Sequence, residues 1–154
     1  MADDTAGGGL DAENAALREA LAAAHAAVWG YGVVGAALGP QASAAAAAAE
    51  TAHRDLRDHV TALLVEREVE PGGAEGGYAL PFPVLSEVDA AALAVVLEDG
   101  VAAMWVRVLD QAAERATREL AVGALSDAEV RAVSWRTAAG QTPVTRAFPG
   151  LPAD

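Results

Sequence analysis

The sequence predicts an all-α chain, a bundle of four helices with one long crossover between the second and the third. Three observations lead there. Apolar residues recur at alternating spacings of four and three through successive stretches, which is the period of a helix face and not of a strand. Glycine and proline interrupt those stretches at Gly39-Pro40, between Val69 and Leu85, and from Gly140 onward. The central interruption is too long for an ordinary turn, whereas the breaks within each half are short.

Residues 1–10, Met1-Ala2-Asp3-Asp4 through three glycines to Leu10, are expected to form a disordered acidic leader. The bundle proper then occupies 11–139. Asp11 is the expected N-cap of the first helix, which ends at Gly39 because Pro40 cannot continue it. Inside it Leu17, Leu21, Ala24, Val28, Tyr31, Gly35 and Leu38 form the buried seam. The second helix runs from about Gln41 to Glu68, with a seam of Ala46, Glu50 or Ala49, His53, Leu56 or Arg57, Val60 and Leu63 or Leu64. Its run Ala44–Ala49 is low in complexity, yet alanine is the strongest helix former and permits close helix approach.

The crossover, 69–85, carries Pro71-Gly72-Gly73, Gly76-Gly77-Tyr78 and Leu80-Pro81-Phe82-Pro83-Val84. Extended, it reaches roughly 55 Å, more than the length of about 40 Å expected of a helix such as the second. It can therefore cross the whole bundle, with Tyr78 and Phe82 strapping the outside. Ser86-x-x-Asp89 resembles a capping box and starts the third helix, whose seam is Ala94, Glu98, Val101, Trp105, Val108 and Ala112. The fourth helix spans roughly Arg115 to Ala138. Its weaker pattern places Val122, Leu125, Glu129, Ala132 and Trp135 or Arg136 on one side, and Ser126-x-x-Glu129 leaves open a break after Gly123. Residues 140–154, with Pro143, Pro149 and Pro152, form an extended tail packed on the bundle.

Composition bounds the chemistry. At 154 residues the chain is one domain, large enough to bury a core without covalent staples. The absence of cysteine excludes disulfides, iron-sulfur clusters and thiolate zinc, so any metal must sit among oxygen and imidazole ligands. The formal charge is −12 and every basic residue is arginine, which disfavours a nucleic-acid partner because phosphate is repelled over most of the surface. From Leu21 to Ala49 the one Asp, Glu, Lys, Arg or His side chain is His25, but this stretch is mostly alanine, is broken at Gly39-Pro40 and follows an acidic leader. It reads as a buried helix pair with no membrane role, in a soluble, cytoplasmic chain.

Two helical hairpins joined by one long crossover describe the ferritin-like topology. Such bundles hold metal with a Glu from each of two helices and a Glu-x-x-His from each of the other two. Glu50-Thr51-Ala52-His53 is one such motif. Counted from the two short turns, Ala24, His53, Glu98 and Glu129 fall at the same depth, so Glu50, His53 and Glu98 are the candidate metal ligands at mid-bundle.

His25-Ala-Ala-Val-Trp-Gly-Tyr-Gly, His53-Arg-x-x-Arg-Asp, Tyr78-Ala-Leu-Pro-Phe-Pro-Val, Leu97-Glu-Asp-Gly-Val-Ala-Ala and Pro143-Val-Thr-x-Ala-Phe-Pro-Gly-Leu-Pro resemble the actinobacterial family DUF4439 from about Glu13 to Pro152. The resemblance implies a ferritin-like four-helix bundle and no established activity. Relatives commonly carry Glu immediately before the His of the first helix, where this chain has Ala24. A second departure from the metal pattern is Ala132, three residues after Glu129, where a second His is expected.

With those ligands missing, the leading reading is a degenerate site rebuilt as a polar network, Glu98 being satisfied by His53 and Arg57. His25 is expected at the core edge bonded to backbone, His59 on the surface, and Trp29, Trp105 and Trp135 in core or strap contacts. No nucleophile elbow, phosphate loop or His-Glu-x-x-His signature appears. The function expected is non-enzymatic, in interaction or assembly, with no cofactor and with a homodimer through the small-residue face of Gly32, Gly35 and Gly39. The alternative is an iron-binding or redox protein with a reduced site.

Overall fold

The computed structural model describes residues 2–152, and side chains from Gly7 onward, as four helices: α1 (Ala2–Ala37), α2 (Pro40–Glu66), α3 (Glu87–Gln111) and α4 (Arg115–Ala138). Among the described residues there is no strand. α1 packs against both α2 and α3, and α3 packs against α4. Two hairpins thus stand side by side, joined by the crossover that leaves α2 at Arg67 and reaches α3 at Ser86.

Two core clusters fill the bundle. One, toward the α3–α4 turn, gathers Leu17, Leu21, Val60, Leu64, Trp105 and Val108. The other, toward the α1–α2 turn, gathers Tyr31, Val34, Leu93, Val95 and Trp135. Each large apolar side chain so buried contributes roughly 1.5–3 kcal/mol. By length and composition the Gly7–Ala37 part of α1 could cross a bilayer. Here its apolar stripe, Leu17, Leu21, Ala24, Ala27, Tyr31 and Val34, is buried in the core.

The helix ends follow local chemistry. Pro40 takes the first position of α2, where its missing N–H is no loss. The Gly39 N–H donates to Glu87 Oε1 at 2.7 Å, tying the α1–α2 turn to the start of α3. The expected cap of α3 forms: Ser86 Oγ accepts from the Asp89 N–H, and Asp89 Oδ2 accepts from the Leu85 N–H, both at 3.1 Å. The Asp89 carboxyl is accordingly held below its usual range, chiefly by Ser86.

Two expectations need correction, on the leader and on the seam of α4, and the open question of a break in α4 is decided. The leader does not precede the helix but belongs to it, since α1 begins at Ala2; Met1 lies outside the described residues. Glycine weakens a helix by about 1 kcal/mol without forbidding it, and extending a formed helix adds one hydrogen bond per residue fixed. α4 is unbroken: Ser126 Oγ donates to the Val122 carbonyl at 2.7 Å, a bond made within a continuous helix and not a cap. The seam of α4 is also different, for Val122 is exposed and the buried stripe is Thr117, Ala121, Ala124, Ala128, Ala132 and Trp135. Of these small residues Ala121, Ala124 and Ala128 share a core cluster with the bulky Trp105 of α3, on which α4 packs.

Outside the helices the chain behaves as straps. Trp29 and Tyr78 meet with ring centroids 5.7 Å apart, and His25 Nε2 lies 3.2 Å from the Gly72 carbonyl, so the crossover is fastened to α1. The tail turns at Gly150, where φ is +75° and an added Cβ would lie 2.7 Å from the Ala102 carbonyl oxygen. Both the left-handed backbone and the close approach to α3 require glycine there.

Candidate functional site

Glu98, on the inward face of α3, is completely buried. Its Oε1 accepts from the Tyr31 hydroxyl of α1 at 2.5 Å, from the Arg131 Nε of α4 at 2.9 Å, and lies 3.0 Å from His53 Nε2 of α2. One carboxylate oxygen therefore gathers a side chain from every other helix. The Tyr31 and His53 rings stack at a centroid distance of 5.5 Å, and the tilted Trp135 ring lies 6.1 Å from that of Tyr31. Burial alone would raise the Glu98 pKa, but hydrogen bonds from His53 and Arg131 outweigh it and hold the carboxyl below its usual range. The Tyr31 hydroxyl moves the other way, far above its usual value, through burial and the adjacent Glu98 charge. It is therefore a neutral donor at any physiological pH.

Of the three candidate ligands, the fold brings His53 and Glu98 together and sends Glu50 elsewhere. The inward position on that turn of α2 is Ala49, four residues before His53, while the half-buried Glu50 bonds Arg54 at 2.5 Å on the flank of the helix. The reason is angular. Around the helix axis the buried Ala46, Ala49, Val60 and Leu64 all lie within about 40° of His53, whereas Glu50 stands about 60° to one side, past the edge of that stripe. Among the described residues no group of three or more His, Asp and Glu side chains converges as a metal site. Ala24 and Ala132 are buried, apolar and without ligand atoms.

His53 is the expected partner of Glu98, but the expected arginine, Arg57, is not. Arg57 pairs with its neighbour Asp58 at 2.8 Å, and Arg131 of α4 takes the inward role. Glu129 does not reach Glu98 either; its Oε2 lies 3.3 Å from Arg136 Nη1. Arg136 is itself buried and bonds Asp99 Oδ1 at 2.6 Å and the Val144 carbonyl at 3.0 Å, while Arg146 of the tail reaches the same Asp99 at 2.8 Å. This second cluster fixes the tail to α3 and α4. A third cluster, of Thr117, Arg67 and the Ala113 and Glu114 N–H groups, surrounds the buried Glu13. Both follow from pairing across helices that no spacing along one helix reveals; the signal available was a charged residue interrupting an otherwise apolar seam.

Two atoms of the central network have no hydrogen-bond partner, Glu98 Oε2 and His53 Nδ1. They are the only ligand-type atoms this cluster offers to a cation, and the Arg131 guanidinium already stands beside the same carboxylate. That donor set does not fit a ferritin-type two-metal centre, which needs six ligands on four helices.

Comparison with curated proteins finds no match. A solved structure of a conserved hypothetical protein, rv2844, from Mycobacterium tuberculosis is similar, with 40% identity and a TM-score of 0.80 over 82% of this chain and 96% of that one. The family described as a domain of unknown function, DUF4439, matches residues 16–153. With nearly the whole bundle and tail inside that match, the chain belongs to the DUF4439 family.

Proposed function

We propose that this chain is a non-enzymatic interaction or assembly module of ferritin-like descent, cytoplasmic, in which an internal ion network occupies the place of a metal centre. One observation carries the reading: Arg131 supplies the positive charge at Glu98 that a metal ion would otherwise supply. A guanidinium with Nε 2.9 Å from the carboxylate neutralises it without any exogenous cation. Ala24 and Ala132 agree with this, since buried methyls stand where the metal pattern calls for ligands.

A second reading, an iron-binding or redox protein with a reduced site, rests on the two unpartnered atoms, Glu98 Oε2 and His53 Nδ1. Elemental analysis of protein purified from iron-supplemented cells, followed by ferrous titration under air, separates the two. The interaction reading expects no stoichiometric metal and no iron oxidation. One metal per chain that disappears in both His53→Ala and Glu98→Gln would sink it and establish the second.

A further inference from the structure

Three long sides of the bundle are closed and the fourth is open. α1 packs on α2, α1 on α3 and α3 on α4, whereas α2 and α4 scarcely meet. The crossover lies over α1 and α3, where Tyr78, Leu80 and Pro81 border a cleft shared with Trp29, Leu93 and Leu97. The tail lies against α3 and α4 through Gly150 at Ala102 and Arg146 at Asp99. Neither strap borders the two clefts between α2 and α4, whose lining comes from those helices alone.

Those clefts measure about 440 Å³ and 290 Å³ and share Arg131, so they form one groove. It extends along α2 from Ala45 to His59 and antiparallel along α4 from Trp135 to Glu119. At 1.5 Å per residue this is about 21 Å on one wall and about 24 Å on the other. Its walls are low, with Ala45, Ala48, Ala52 and Gly123, which permits a helix backbone to approach closely. Apolar surface lies open within it, Val130 being 70% exposed.

The charge is one-sided. Asp55, Glu119 and Asp127 line the wider cleft with His59; Arg131, the arginine of its lining, already serves Glu98, and Glu119 is shared with Arg115 through an exposed pair at 2.7 Å. We propose that the groove receives a basic amphipathic helix of a protein partner, with small apolar side chains turned inward and Lys or Arg set against Asp55, Glu119 and Asp127. A segment of about 14–16 residues matches the groove length. A second copy of the chain fits poorly, because its charge of −12 and its own acidic rim would face like charge. The inference rests on the interaction reading above and names the class of partner.

A display library of helical peptides of about 16 residues tests it, the length set by the groove. Inward positions are restricted to Ala, Gly and Leu, flanking positions are randomised among Lys, Arg, Glu, Gln and Ala, and selection is made on the full chain. Recovered peptides are then measured by fluorescence anisotropy against the wild type, Gly123→Leu and the triple Asp55→Lys/Glu119→Lys/Asp127→Lys. Gly123→Leu fills the groove without disturbing the bundle, since nothing lies within 4 Å of a Cβ at that position. The expected peptides are net positive, bind more weakly as salt rises, and lose roughly tenfold or more in affinity with either variant. Recovery of no peptide, of neutral or acidic peptides, or of peptides indifferent to Gly123→Leu overturns the proposal. A wild-type dimer in sedimentation that Gly123→Leu dissolves assigns the groove to a second copy and overturns it too. Stoichiometric metal at His53 and Glu98 would overturn the interaction reading without altering these binding results, so the two failures are distinguishable.

Discussion

Glu13 and Glu98 are both fully buried glutamates, each held by an arginine from elsewhere in the fold, but their hydrogen bonding is completed to different degrees. Glu13 Oε1 accepts from Thr117 Oγ1 at 2.5 Å and pairs with Arg67 Nη2 at 2.7 Å. Its Oε2 accepts from the backbone N–H groups of Ala113 and Glu114 at 2.6 and 2.8 Å. α4 has no side-chain cap of its own, so a carboxylate from α1 caps it and complements its dipole. Arg67 extends the clip to Asn14 at 2.7 Å and Glu114 at 2.6 Å. Glu98, by contrast, concentrates three donors on one oxygen and leaves the other with none. A carboxylate with both oxygens occupied is a structural clip. One with a spare oxygen beside an imidazole with a spare nitrogen leaves bonding capacity in the core unused.

The sharpest way to break that contrast is Glu98→Ala. It leaves the Arg131 charge, the Tyr31 hydroxyl and His53 facing one another without an acceptor. Breaking a buried pair from one side destabilises by roughly 3–5 kcal/mol. Urea unfolding should show the midpoint falling with little change in slope. A loss under about 1 kcal/mol, the scale of exposed pairs, would mean that the network contributes little to the fold.

Glu13→Gln should be milder, about 1–3 kcal/mol, because the amide still accepts backbone N–H bonds while its NH₂ meets Thr117 and Arg67, which need an acceptor. The same measurement ranks the two sites. Acid titration of the wild type then addresses both together. For Glu13, burial alone would raise the pKa, but Thr117, the Glu114 N–H and Arg67 lower it overall; Glu98 is lowered likewise by His53 and Arg131. A depressed carboxylate stabilises the fold above its unfolded pKa, so this contribution is full near neutrality. It declines as pH falls below about 4.3 and is gone once the folded values are passed. Glu13→Gln should flatten part of that acid decline; an unchanged profile would remove Glu13 as a source of it.

The fold was more legible in sequence than the site, and particular residues show why. Ser86-x-x-Asp89 and Gly39-Pro40 act on neighbours within a few residues, so the start of α3 and the break after α1 could be placed from them directly. The α4 seam could not, since choosing bulky side chains selected the exposed Val122 over the buried Ala121 and Ala124. Depth along the helices was readable, and it correctly set His53 beside Glu98. Rotation about the helices decided the rest: it turned Glu50 outward, and it gave Glu98 the arginine at 131 and not the one at 57. Glu13 and Arg67 pair across 54 positions of sequence, a distance at which neither residue signals the other.

Glu50 gives the smallest expected effect and the cleanest test of that rotation. Its side chain is 26% exposed and its partner Arg54 56%, an outer i,i+4 pair of the kind that contributes about 0.5 kcal/mol or less. Glu50→Ala should therefore leave the unfolding midpoint nearly unchanged. A double-mutant cycle resolves more than the single variant can. Glu98 and His53, in contact at 3.0 Å, should couple by about 0.5–3 kcal/mol, whereas Glu50 and His53 should be additive within about 0.5 kcal/mol despite lying three residues apart. Coupling between Glu50 and His53 of the larger size would return Glu50 to the inner face. It would then supply the third ligand that the metal-binding reading lacks.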